Sequence, residues 1–245
     1  MGVLLAKNQL VSDLWLPAAQ QLGGMLYPML RKNKKMKLLT LTTCENYQEV
    51  VVLEQNNLTR KEYIVAWEQS RFGALRLQTE IPLKVLGATR YESAVLTGTH
   101  SIGSYFPFDI VNLDFSSQQP VLGTGRIENE IHGLEKTVKL QRDKNVKTFV
   151  LIYTTLINSH SLSYETIAGV SNAEVVKGWP GLSLSDYPST VGDSDMKETC
   201  LDYVLMKVYS KYGYVAHSKK KIVPLSTEKG VYSTASLIRP KEDAT

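Results

Sequence analysis

Cysteine is nearly absent from this chain. Cys44 and Cys200 are the only two in 245 residues, and neither has Cys or His neighbours at metal-ligand spacing, so no disulfide framework or zinc site is expected. The four histidines, His100, His132, His160 and His217, stand singly, and none is given a ligand or base role. Apolar runs are short, well below the roughly 18–20 residues that cross a bilayer. The first ten residues lack the basic start and long apolar stretch of a signal peptide. A reducing, cytoplasmic setting without a membrane partner is the expectation. No nucleophilic triad or metal cluster stands out either.

What is present suits one folded unit. Hydrophobic residues make up 43% of the chain and charged residues 21%, enough to bury a sizeable core and too little charge for a disordered chain. The length lies just below the roughly 250–300 residues at which single cores stop growing. Net charge is +4 with a pI near 8.9, compatible with a nucleic-acid partner but shared by many soluble enzymes. The basic residues gather in two runs, residues 31–37 and Lys219-Lys220-Lys221. Either run could meet phosphates, and either could be a solvated surface, since no aromatics are interleaved to stack on bases.

Along the chain, residues 8–30 read as a helix-rich lead-in broken at Pro17, at Gly23-Gly24 and at Pro28. With the basic connector they form an N-terminal helical extension over 1–35, ahead of a domain over 36–245. Met36 to Thr43 reads as a strand. Helix and strand signals then alternate: helix over 45–57, strand over 62–68, helix over 71–80, strand over 83–87, a short helix over 91–96, strand over 108–114. Gly123-Thr124-Gly125 marks a loop that either cradles a phosphate or simply turns. Ile127, Ile131, Leu134 and Val138 then share one face of a helix over 126–144. Thr148 to Thr155 reads as a strand buried on both faces. A polar stretch over 177–195 reads as a long loop, either a lid or an insertion. A helix over 200–212 and strands over 220–225 and 232–238 close the pattern. The fold class is therefore α/β, a doubly wound, mostly parallel Rossmann-like sheet of about seven strands.

Three places stand where a ligand of such a sheet binds, at the carboxyl ends of strands. Thr42-Thr43 follows the first strand, Glu68 ends the second, and Asn112-Leu113-Asp114-Phe115 closes the fourth. A carboxylate at the end of the second strand suits the two hydroxyls of a ribose, and equally suits the start of a helix. Asp114 could orient an amine or accept its proton, or could cap the following loop.

This order of elements, with those strand ends, resembles the class I S-adenosylmethionine-dependent methyltransferases over roughly residues 36–238. The resemblance implies S-adenosylmethionine as cofactor, held by Thr42, Thr43, Glu68 and Ala88. It implies Asp114 and Asn112 at the acceptor, Phe115 and Tyr153 toward the substrate, and a nucleic acid as that substrate. The chain departs from the family in its first loop, Leu41-Thr42-Thr43-Cys44-Glu45-Asn46, which has no glycine to admit a close-lying cofactor. Gly87-Ala88-Thr89 stands where an adenine-contacting acid is often found. A second reading follows from those departures: a methyltransferase-fold subunit without catalysis, binding protein partners within a nucleic-acid-processing or defence complex.

Overall fold

Short runs of apolar residues become strands here because helices cover both faces of the sheet they build, so inward and outward positions alike are dry. The structure is a computed structural model that describes residues 2–26, 35–43, 45, 47–81, 83–87, 89–116, 126–158, 194–225 and 229–243. Its strands are β1 (Leu38–Leu41), β2 (Ile64–Glu68), β3 (Lys84–Gly87), β4 (Ile110–Asp114), β5 (Phe149–Asn158), β6 (Tyr214–Pro224) and β7 (Lys229–Pro240). They form one seven-stranded sheet in the order β3-β2-β1-β4-β5-β7-β6. The first five are parallel to one another, and β7 runs antiparallel between β5 and β6.

The helices are α1 (Gly2–Leu10), α2 (Leu16–Leu26), α3 (Gln48–Gln55), α4 (Arg71–Glu80), α5 (Tyr91–Thr97), α6 (Arg126–Asp143) and α7 (Ser194–Lys211). Alternate strand residues feed two cores. On one face Val111, Leu113 and Tyr153 pack with Tyr91 of α5, Leu134 and Val138 of α6 and Leu201 of α7. On the other, Ile110, Ile152 and Leu237 pack with Leu10, Trp15 and Leu22 from the amino-terminal helices and with Val50 and Leu77 of α3 and α4. Residues 2–26 thus roof half of the sheet.

The expected break at Pro17 does not occur. A proline ring inside an α-helix collides with the carbonyl four residues earlier. Here Val11–Trp15 widens into a π turn, and the Leu16 N–H reaches back to Val11 O. The widened turn leads directly into α2. Gly23-Gly24 does not interrupt α2 either, because burial of Ala19 and Leu22, both fully enclosed in the core, outweighs the weak helix propensity of glycine. Pro28 lies outside the described residues.

The last two strands are longer than the sequence suggests. β6 starts at Tyr214 and pairs with β7 from Tyr214↔Pro240 to Pro224↔Gly230. Its middle, His217 to Lys220, is exposed at the rim of the sheet, so its polar residues hide the strand from a reading based on burial. The Gly123–Gly125 loop lies outside the described residues, as does the 177–195 stretch up to residue 193. Among the described residues, no helix is long and apolar enough to cross a membrane.

Candidate functional site

Parallel pairing of β1 with β2 and β4 brings their carboxyl ends to one rim. Leu41 pairs beside Trp67, Thr40 pairs beside Asn112, and the Thr42 N–H donates to Trp67 O at 3.1 Å. A crevice opens there, lined by Leu41, Thr42, Thr43, Trp67, Glu68 and Asp114 among others, with about 240 Å³ of space including its open mouth. The three places singled out in the sequence therefore do share one crevice. Its enclosed part measures about 10 Å³, room for about one water molecule and far short of a pocket that encloses a cofactor-sized ligand.

Glu68 is buried and held by the chain that follows it. Its Oε1 accepts the Ser70 N–H at 2.9 Å, while Ser70 Oγ accepts the Gly73 N–H at 3.1 Å and caps α4. The carboxylate thus sits on the amino terminus of α4, where unpaired N–H groups favour negative charge. The approach is close, for a Cβ at position 73 would stand 2.9 Å from the Glu68 carboxyl carbon and the carboxylate would have to shift. Gly87, on β3, meets the same residue from the other side. Its φ is +149°, and a Cβ would fall 1.8 Å from Glu68 O. Ala88 lies outside the described residues.

Asp114 lies on the face roofed by α1. Its Oδ1 accepts the N–H and the hydroxyl of Ser116, at 3.0 and 2.5 Å. Its Oδ2 stands 3.0 Å from the Lys7 ammonium, and the same ammonium lies 3.3 Å from Glu49 Oε2. Lys7, Glu49 and Asp114 are 2%, 1% and 0% exposed. Both contacts set the ammonium within ion-pair distance of a buried carboxylate oxygen, and charge and hydrogen bonding together hold it there. Burial works against the Lys7 ammonium, but Glu49 and Asp114 outweigh it and raise its pKa above the ordinary lysine value. A relay leads from Asn112 to Glu49: Asn112 Nδ2 donates to Thr40 Oγ1 at 3.1 Å, and Thr40 Oγ1 donates to Glu49 Oε1 at 2.9 Å. Asn112 Oδ1 is buried without a hydrogen-bond partner.

Lys7 and Glu49 are the residues that sequence reasoning missed. A signal existed for each. Lys7 precedes Leu10, Val11 and Leu14 at helical spacing, and Glu49 precedes Leu53 by four, so both sit on buried stripes where a charge needs a partner. Phe115 and Tyr153 lie elsewhere. Both are fully buried in the opposite core with ring centroids 5.9 Å apart, and Tyr153 Oη donates to the buried Glu130 at 3.2 Å. The described part of the first basic run is tied into the fold, with Lys35 donating to Asn57 O at 2.7 Å and Lys37 to Tyr105 O. In the second run Lys220 pairs with Asp202 at 2.8 Å and Lys221 pairs with Asp13. Among the described residues no group of three His, Cys, Asp or Glu side chains could hold a metal ion.

A sheet of this order, with its seventh strand reversed between the fifth and the sixth and the carboxyl ends of its parallel strands on one rim, settles the architecture. The fold is of the class I methyltransferase type. No family model matches the chain, and no curated protein matches it. Among solved structures, the chain is similar to an O-methyltransferase from Bacillus cereus in complex with SAH, at 14% identity over 95% of this chain and 97% of that one, with a TM-score of 0.44. It is similar to the magnesium protoporphyrin IX methyltransferase of Synechocystis PCC 6803 with bound SAH, at 9% identity over 92% and 85%, with a TM-score of 0.42. A plantazolicin methyltransferase in complex with SAH gives 11% identity over 93% and 84%, with a TM-score of 0.42. The assignment to the methyltransferase fold rests on the chain's own strand order rather than on these likenesses.

Proposed function

We propose that this chain uses the methyltransferase fold as a binding or assembly subunit and does not itself transfer methyl groups. One observation carries the reading: Asp114, at the strand end that would face an acceptor, is fully buried and ion-paired with Lys7 from the chain's own first helix. An amine or its proton could reach that carboxylate only after the ammonium had left, and breaking a buried pair costs about 3–5 kcal/mol.

S-adenosylmethionine fits the residues poorly. It carries a sulfonium and an ammonium, and of the two carboxylates that line the crevice, Glu68 is bound to the amino terminus of α4 and Asp114 already holds the Lys7 ammonium. The loop after β1 has side chains where a close-lying ligand needs glycine. The crevice volume points the same way. No methyl-transfer step is therefore derived for this chain.

A second reading keeps catalysis and takes a nucleic acid as the acceptor. It draws support from the meeting of Thr42, Thr43, Glu68 and Asp114 at one crevice, with Glu68 on the ribose and Asp114 and Asn112 toward the acceptor. The basic runs would supply phosphate contacts.

Calorimetry with S-adenosylmethionine and its demethylated product separates the two. The binding-subunit reading expects no heat from the wild type at millimolar ligand. Saturable heat that is lost in Glu68→Ala would overturn it and restore the enzyme. Asp114→Ala should then abolish transfer while keeping cofactor affinity.

A further inference from the structure

Beneath the crevice, one buried ammonium stands 3.0 and 3.3 Å from the oxygens of two buried carboxyl groups. Asn112 Oδ1, on the same sheet face two residues before Asp114, adds a buried acceptor without a partner. A dry pocket rarely tolerates an unmet acceptor, because the oxygen keeps its full desolvation cost. The remaining carboxylate oxygens are satisfied, Glu49 Oε1 by Thr40 and Asp114 Oδ1 by Ser116. The group that completes the other two oxygens of this floor is a positive N–H donor. The only occupant among the described residues arrives from a separate element, α1, by way of a flexible four-carbon stem.

We propose that the floor formed by Glu49, Asn112 and Asp114 is a binding site for a primary ammonium group, filled in cis by Lys7, so that helix α1 and an exogenous primary amine are alternative occupants. Guanidinium and quaternary cations do not match it, since the two carboxylate oxygens converge on a single nitrogen at 3.0 and 3.3 Å. Lys7 holds the site in the intact chain because its ammonium is tethered and so has a high effective concentration there. Removing the stem frees the site for an untethered amine. The assignment stands whether or not the chain transfers methyl groups, because its test uses no adenosyl ligand.

Lys7→Ala deletes the atoms of n-propylammonium and leaves their space beneath α1. The full chain carrying this substitution is melted with n-propylammonium chloride, with 1-propanol, which has the same length and no charge, and with sodium chloride at equal ionic strength. At a tenfold excess over its dissociation constant the amine should raise the melting temperature by about 2–6 °C. The propanol and salt controls should not. Wild type and Lys7→Met, in which a side chain fills the same space, should not respond to the amine. An equal rise in Lys7→Met, an equal rise with propanol, or no rise in a folded Lys7→Ala would overturn the proposal. If Lys7→Ala does not fold unaided, its refolding yield is compared in the three solutions, and equal yields would also overturn it.

Discussion

The Trp15 indole N–H donates to Ser233 Oγ across 2.9 Å, joining residues 218 positions apart in the chain. Ser233 Oγ also bonds Thr154 Oγ1 at 2.7 Å, so one hydroxyl links the amino-terminal helices, β5 and β7 in a buried place. Ser233→Ala leaves the indole N–H without an acceptor and should cost about 1–3 kcal/mol in urea denaturation. Trp15→Phe in the same background should then cost less than it does alone. Additive losses would mean that the bond contributes nothing.

Lys7 offers a test of charge rather than of packing. Lys7→Met keeps most of the stem and strands two carboxylates, so a loss of about 3–5 kcal/mol is expected. Adding Asp114→Asn removes part of the stranded charge and should recover some of that loss. The pH dependence has a definite sign. The folded pKa of Lys7 is raised, so its contribution is fully present below the ordinary value of 10.5 and fades only as pH climbs through the higher folded value. The gap between wild type and Lys7→Met should stay constant from about pH 7 to 10. A gap that closes near neutral pH would contradict the raised value.

Gly73 and Glu68 are coupled through a steric contact. Alanine ordinarily gains about 1 kcal/mol over glycine inside a helix, but here its Cβ would meet the Glu68 carboxyl carbon at 2.9 Å. Gly73→Ala should therefore give little or negative gain in wild type and about 1 kcal/mol in a Glu68→Ala background. Equal effects in both backgrounds would remove the contact from consideration.

Two buried tyrosines set an alkaline limit. Burial pushes the Tyr91 and Tyr209 hydroxyls well above the usual phenol range, against smaller opposing effects of hydrogen bonds to Thr137 and Ser236. A raised folded pKa means stability is intact below about pH 10 and falls as the unfolded chain ionises above it, by about 1.4 kcal/mol per pH unit for each such group. Tyr209→Phe should flatten that decline between about pH 10 and 11.5. An unchanged slope would show that Tyr209 ionises freely in the folded chain.

Much of the architecture was legible in the sequence because strand and helix periods alternate cleanly from Leu38 to Asp143, and the helix read over 71–80 coincides with α4. The convergence of Thr42, Glu68 and Asp114 followed from the parallel sheet alone, since parallel strands put their carboxyl ends on one rim. What escaped was long-range. Pro17 reads as a breaker because the π turn that accommodates it has no local signature. The pairing of Lys7 has no trace in the sequence because its partners come from α3 and β4, far from it in the chain. The rim strand β6 looked short because exposed lysines mask its backbone pairing with β7.

The reversed seventh strand bears on how the molecule comes into being. Because β7 is wedged between β5 and β6 and is roofed by the helices of residues 2–26, the roof is made long before the wall it rests on. A ribosome adding about 5–20 residues per second needs roughly 10–40 seconds to travel from Trp15 to Ser233. Throughout that interval Leu14, Trp15 and Leu22 have no finished surface to cover, and the nascent chain carries an oily helix in search of a seat.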